Sequence, residues 1–149
     1  MQNELQTALF QAFDTLNLQR VKTFSVPPVT LCGPGAMAHQ PGAALHIPHG
    51  LANAMLLPTV MEFNRMVCRE RFSQIGRALR TKKSDDRDAI NAVSELIAEV
   101  GIGKRLGDVG ATSAHYGAWA QAAQEDICLR SNPRTASLEQ IVGLYAAAQ

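Results

Sequence analysis

Apolar side chains recur at helical spacing over most of the chain. Leu5, Leu9, Ala12, Phe13 and Leu16 share one face of residues 3–18, with Gln, Asn, Glu and Asp opposite, which predicts a short amphipathic helix. Arg20-Val21-Lys22 is a polar link. Phe24 to Cys32 is β-branched and apolar but carries Pro27 and Pro28, so a strand there is short or at an edge. Gly33-Pro34-Gly35 predicts a turn.

From Gly50 onward the pattern is helical. Residues 51–64 are apolar almost all round, which predicts a buried helix bent or interrupted at Pro58. Residues 70–79 predict a shorter helix, basic on its exposed side. Ser84-Asp85-Asp86-Arg87 opens the clearest one, with Ser84 as N-cap, acids at the positive end of the dipole and an apolar stripe of Ile90, Val93, Ile97 and Val100. Gly101 suits the C′ position. Residues 113–128, with Tyr116, Trp119, Ala120, Ala123 and Ile127, and residues 137–148, with Ile141, Leu144 and Tyr145, complete the bundle. The expected class is mainly α: a helical bundle with a short N-terminal helix and one edge strand or extended segment.

Composition sharpens this picture. With 149 residues, 46% hydrophobic and a net charge of +1, the chain suits one domain with a real core and has no global pull toward nucleic acid or anionic membrane. All charged residues, 14 basic and 13 acidic, lie outside residues 23–61, a stretch holding six of the seven prolines and three of the four histidines. Those prolines leave no unbroken run of the ~20 apolar residues a spanning helix needs. Met1-Gln2-Asn3-Glu4 does not read as a secretory start, so Cys32, Cys68 and Cys128 are expected as reduced, small buried side chains in a cytoplasmic setting. The basic stretch from Arg69 to Lys83 runs straight into Asp85, Asp86 and Asp88 without aromatic interleaving, as a solvated helix face does.

Candidate chemistry concentrates on His39, His46 and His49. Three imidazoles within eleven residues are of a type that binds iron, zinc or copper, yet they match no established zinc spacing, and spacing alone favours hydrogen-bonded structural residues over ligands. His115, remote in sequence, reads as a surface residue of a helix.

The string around them is more informative. Pro48-His49-Gly50-Leu51-Ala52-Asn53-Ala54-Met55-Leu56-Leu57-Pro58-Thr59-Val60-Met61-Glu62-Phe63-Asn64 strongly resembles the iron-containing (group III) alcohol dehydrogenases. The likeness continues to Asn132-Pro133-Arg134 and to residues 139–145, covering about residues 36–149, and it is closest to the family's ethanolamine-utilisation branch. It implies Fe(II), or zinc, and NAD(P) as cofactors of an intact member, which interconverts a primary alcohol and its aldehyde. It also implies that the metal is held by an Asp and a His of one helix and two further His.

Carried onto this chain, the last of those histidines is His49, a metal ligand. His39 matches a second histidine near the active site, a catalytic position that does not hold the metal. The third ligand would stand four residues before His39, where the chain has Gly35. The family's glycine-rich nucleotide loop, its Thr-Thr segment and its Asp-x-x-x-His pair have no counterpart, so no cofactor-binding residues are assigned. Residues 24–36 resemble the family's start. The expected organisation is therefore residues 1–35 as N-terminal helix plus remnant of the first strand and turn, and residues 36–149 as the incomplete C-terminal metal domain, joined near Gly35–Met37.

Three expectations follow. The chain alone should bind neither cofactor well and be inactive. Residues 3–18 could dock onto a bacterial microcompartment shell protein through anchors at i, i+3 and i+4, placing the chain in the cytoplasm or in such a compartment; the alternative is that they pack on the chain's own core. As a helical interaction module or truncated remnant, it should self-associate through apolar surface bared around residues 36–57.

Overall fold

The computed structural model describes residues 32–79, 81 and 85–149. The helix expected over residues 3–18 and nearly all of the extended segment that follows it lie outside these residues. Five α-helices are described: α1 (Cys32–Leu45), α2 (His49–Ala78), α3 (Asp86–Glu99), α4 (Ser113–Glu125) and α5 (Leu138–Ala147). Two 3-10 turns, Gly107–Val109 and Ile127–Ser131, complete the set, and no strand occurs among the described residues. The mainly α class is as expected.

The turn expected at Gly33-Pro34-Gly35 is instead the opening of α1. Proline is tolerated there because the first helical N–H groups have no intrahelical partner to lose. Pro41, deeper in α1, does remove a donor. The carbonyl it deprives is that of Met37, four residues back, and this oxygen accepts from the buried Tyr145 hydroxyl at 2.7 Å. A helix break is thus mended by a side chain from the far end of the sequence.

His46 then reverses the chain in a left-handed conformation, φ 53°, with the Ile47 N–H closing onto the Gly42 carbonyl at 3.2 Å. Pro48 precedes α2. The two helices expected at 51–64 and 70–79 are merged into this single α2, which passes through Pro58 without leaving helical geometry. Its break comes at Cys68, φ −124° and ψ 19°, inside the gap expected between them.

Two cores result. The larger gathers Met37 and Ala38 of α1, Ala52, Met55, Leu56 and Val60 of α2, Tyr116, Trp119, Ala120 and Ala123 of α4, and Ile141 and Tyr145 of α5. Alanines at the contacts let the helices approach closely, and the three aromatic rings fill the centre. Tyr116 and Tyr145 stack at 5.8 Å between centroids, with Trp119 edge-on to Tyr145 at 5.5 Å. Contrary to expectation, the apolar side chains of residues 36–57 are largely inside: Ala36, Met37, Ala38, Ala52, Ala54, Met55 and Leu56 are buried. The large apolar side chains left exposed lie elsewhere, at Met66, Val67, Leu96, Val100 and Ile127 among others.

The smaller core pairs the distal half of α2 with α3 through Met61, Cys68, Phe72, Ala89 and Ile90. Arg65 bridges Glu62 at 2.9 Å and Asp86 at 3.3 Å beside it. The residue capping α3 is Asp85, not Ser84, which lies outside the described residues. In extended geometry, the Asp85 carboxylate accepts from the N–H groups of Arg87 and Asp88 at 3.0 and 2.7 Å. Along the α3 stripe Ile90 is buried, but exposure rises toward Val100. Gly101, φ 78°, ends the helix in a Schellman motif: its N–H bonds the Ala98 carbonyl and that of Ile102 the Ile97 carbonyl.

The last residues bind the irregular segment that follows. Leu106 donates its N–H to the Ala148 carbonyl at 3.0 Å, and Arg105 donates to the Gln149 carbonyl at 3.2 Å. The Gln149 side chain donates in turn to the Ala111 carbonyl at 3.3 Å. No described helix is long and apolar enough to cross a membrane.

Candidate functional site

The turn at His46 brings the start of α2 beside the middle of α1. His39, on the exposed side of α1, and His49, the first residue of α2, stack with ring centroids 5.1 Å apart and planes 24° from parallel. His46 itself stays exposed at the turn, where its left-handed backbone is what the fold uses. Of the three clustered histidines, the structure therefore joins two.

Two residues that the spacing did not single out complete the neighbourhood. Helix α4 was expected to continue to Cys128, but Asp126 adopts extended geometry, ψ 129°, and starts a 3-10 turn instead. One Asp126 oxygen caps that turn by accepting from the Cys128 N–H at 2.8 Å. The other faces His39 Nδ1 at 2.6 Å. Hydrogen bonding to His39 holds the Asp126 carboxyl below its ordinary range, outweighing the opposing effect of burial, and the Cys128 amide adds to it. A carboxylate can only accept, so His39 carries its proton on Nδ1 and leaves Nε2 open. The pair is 87 positions apart, and no local pattern announces it. Cys128 is half-buried on the same turn; Cys68 is buried, and desolvation pushes its thiol above the ordinary value.

His49 is differently engaged. The Asn53 amide, one helical turn on, donates to His49 Nε2 at 2.9 Å and to the His49 carbonyl at 3.0 Å. Gly35 stands one turn before His39 on α1, and a side-chain carbon built there would meet nothing within 4 Å. The place is open, but glycine offers no ligand. Elsewhere, His115 fits the structural reading: it closes a capping box with Thr112 at the start of α4 and stacks on Trp119 at 4.9 Å.

Farther along its length, α2 is locked to the segment before α5. Asn64, a buried polar residue, exchanges two amide hydrogen bonds with Asn132, at 2.7 and 3.0 Å. Arg134 donates to the Phe63 carbonyl at 2.7 Å, and its guanidinium carbon lies 4.0 Å from the Phe63 ring centroid. The Phe-Asn and Asn-Pro-Arg signatures thus hold each other.

The sequence model of the Fe-containing alcohol dehydrogenase family, C-terminal, matches residues 29–149. The chain belongs to that family. Over 126 residues it is 93% identical to "Probable alcohol dehydrogenase EutG" of Escherichia coli (strain K12), a match covering 85% of this chain and 31% of that protein. It is 42% identical to lactaldehyde reductase of the same strain over 118 residues, covering 75% of this chain and 31% of the relative. Among solved structures, alcohol dehydrogenase from Oenococcus oeni superposes with a TM-score of 0.76 at 31% identity, covering 80% of this chain and 33% of that one. The chain thus spans about a third of the length of these relatives.

The resemblance implies a metal held by an Asp and three His, and the described residues do not fit that set. By that resemblance His49 would be the one ligand present, but its Nε2 already accepts from Asn53, and glycine stands where the resemblance puts the third ligand. Asp126, the carboxylate at hand, does not belong to an Asp-x-x-x-His pair, since Arg130 stands four residues on.

Proposed function

We propose that this chain carries the helical part of an NAD(P)-dependent alcohol dehydrogenase that interconverts a primary alcohol and its aldehyde, the two-carbon pair foremost. By themselves the 149 residues do not turn it over. Similarity to enzymes named as alcohol dehydrogenases and aldehyde reductases supports the reaction class. The observation that carries the inactivity is the ligand count: a lone imidazole from His49 binds a divalent ion weakly and without selectivity.

In this reading His39 is the proton-handling group at the edge of the site. Asp126 fixes its tautomer, which makes Nε2 the acceptor. His49 contributes its ring where the alcohol or aldehyde oxygen would approach, and Asn53 orients that ring.

The test is an acetaldehyde-dependent NADH oxidation assay on the purified chain, with Fe(II) or Zn(II) added. No turnover above the protein-free rate is expected. Turnover that disappears in His49→Ala would overturn the proposal.

A further inference from the structure

Besides the family's incomplete iron set, a different group of donors converges in this chain. His39, Asp126 and Cys128 place one imidazole nitrogen, one carboxylate oxygen and one sulfur all within 4.8 Å of one another. We propose that these three side chains form a binding site for a zinc-like divalent transition-metal ion, with His49 outside the ligand set.

Donor chemistry selects the class of ion. A nitrogen, a sulfur and an oxygen suit zinc or cobalt(II), whereas magnesium and calcium take oxygen ligands almost exclusively. Bond lengths of about 2.0–2.3 Å in a tetrahedral shell put ligand atoms roughly 3.3–3.8 Å apart. The donors now lie within 4.8 Å of one another, so the widest gap must close by about 1 Å. In the other direction, His39 Nδ1 and Asp126 Oδ2, now 2.6 Å apart, must open by about 1 Å as the ion takes the place of the bridging proton. That proton moves to Nε2 of His39, and the Cys128 thiol proton goes to solvent.

The donors are held from both sides. Asp126 Oδ1 is fixed by the Cys128 N–H, which leaves Oδ2 for the ion, and the Cys128 carbonyl accepts from Ser131 Oγ at 3.0 Å. On α1, the Tyr145–Met37 bond anchors the backbone two residues from His39. Such outer contacts preorganise ligands in metal sites. His39 is 43% exposed in its side chain, so an ion has an entry path and water can fill the fourth position. None of this requires His49, so the ligand set differs from the one the family resemblance implies, with His39 standing at the edge of both sites.

Cobalt(II) titration of the purified 149-residue chain near neutral pH tests the site. A near-ultraviolet thiolate-to-cobalt charge-transfer band should appear together with the visible bands of a tetrahedral ion, and one equivalent of zinc should abolish both. Cys128→Ser should remove the charge-transfer band. His39→Gln and Asp126→Asn should weaken cobalt binding by roughly tenfold or more, while His49→Gln leaves it unchanged. Far-UV circular dichroism of each variant controls for folding. Absence of the band, its survival in Cys128→Ser, or its loss in His49→Gln would overturn the proposal. Because the readout is spectroscopic, its outcome is independent of the alcohol dehydrogenase assay.

Discussion

The hydroxyl of Tyr145 occupies the carbonyl of Met37 that Pro41 leaves without a helical donor. Tyr145→Phe therefore strands a buried acceptor and should cost about 1–3 kcal/mol in urea unfolding. In a Pro41→Ala background the new backbone N–H can serve Met37, and the same substitution should cost clearly less. Equal costs in both backgrounds would sink the link between the two positions.

Its stacked neighbour should behave in the opposite way. The Tyr116 hydroxyl is buried and has no hydrogen-bond partner among the described residues. Tyr116→Phe removes an unpaired polar group while keeping the ring between Trp119 and Tyr145, so stability should be unchanged or higher. A loss above about 1 kcal/mol would show that the hydroxyl has a partner after all.

Both tyrosines also set an alkaline limit. Burial pushes Tyr116 and Tyr145 above their ordinary value of 10.0, with the charge of Asp126 adding to the effect on Tyr145. A group whose pKa is raised by folding lends stability in full below its unfolded pKa and loses it as pH climbs beyond. Stability should thus fall as pH rises above about 10, and the fall should be shallower in Tyr145→Phe. Thermal midpoints measured on both sides of that pH distinguish the two slopes.

Asn64 and Asn132 offer a test of the family signature as structure. Asn64→Ala leaves the Asn132 amide short of a donor and an acceptor in a half-buried place, at a cost of about 1–3 kcal/mol. The double substitution should cost less than the sum of the singles, since each alone already breaks both bonds. Additive losses would mean the pair does not act as a unit.

Much of the helical architecture could be read from periodicity because each helix buries a stripe that local spacing reveals. Gly101 and the capping acids of α3 were equally plain, although the cap itself fell one residue later than expected. Boundaries failed where tertiary contacts override local rules. Pro41 persists inside α1 because Tyr145 supplies what it removes, and α2 passes Pro58 because its flanks are buried in one core. In the candidate site, His39 and His49 were legible as neighbours, being ten positions apart in the sequence. Asp126 was not, because the fold alone brings it to His39 from 87 positions away, and a continuous α4 would have turned it elsewhere.

The hydrogen bonds from Arg105, Leu106 and Gln149 make the chain's last two residues a fastener for a segment some forty positions earlier. Residues 103–112 have little regular structure to stiffen them, so their order is borrowed from the carboxyl end. Trimming by a carboxypeptidase would thus be felt first not at α5 but in faster amide exchange around Leu106 and Ala111. An affinity tag fused after Gln149 would have to leave through the same fastening.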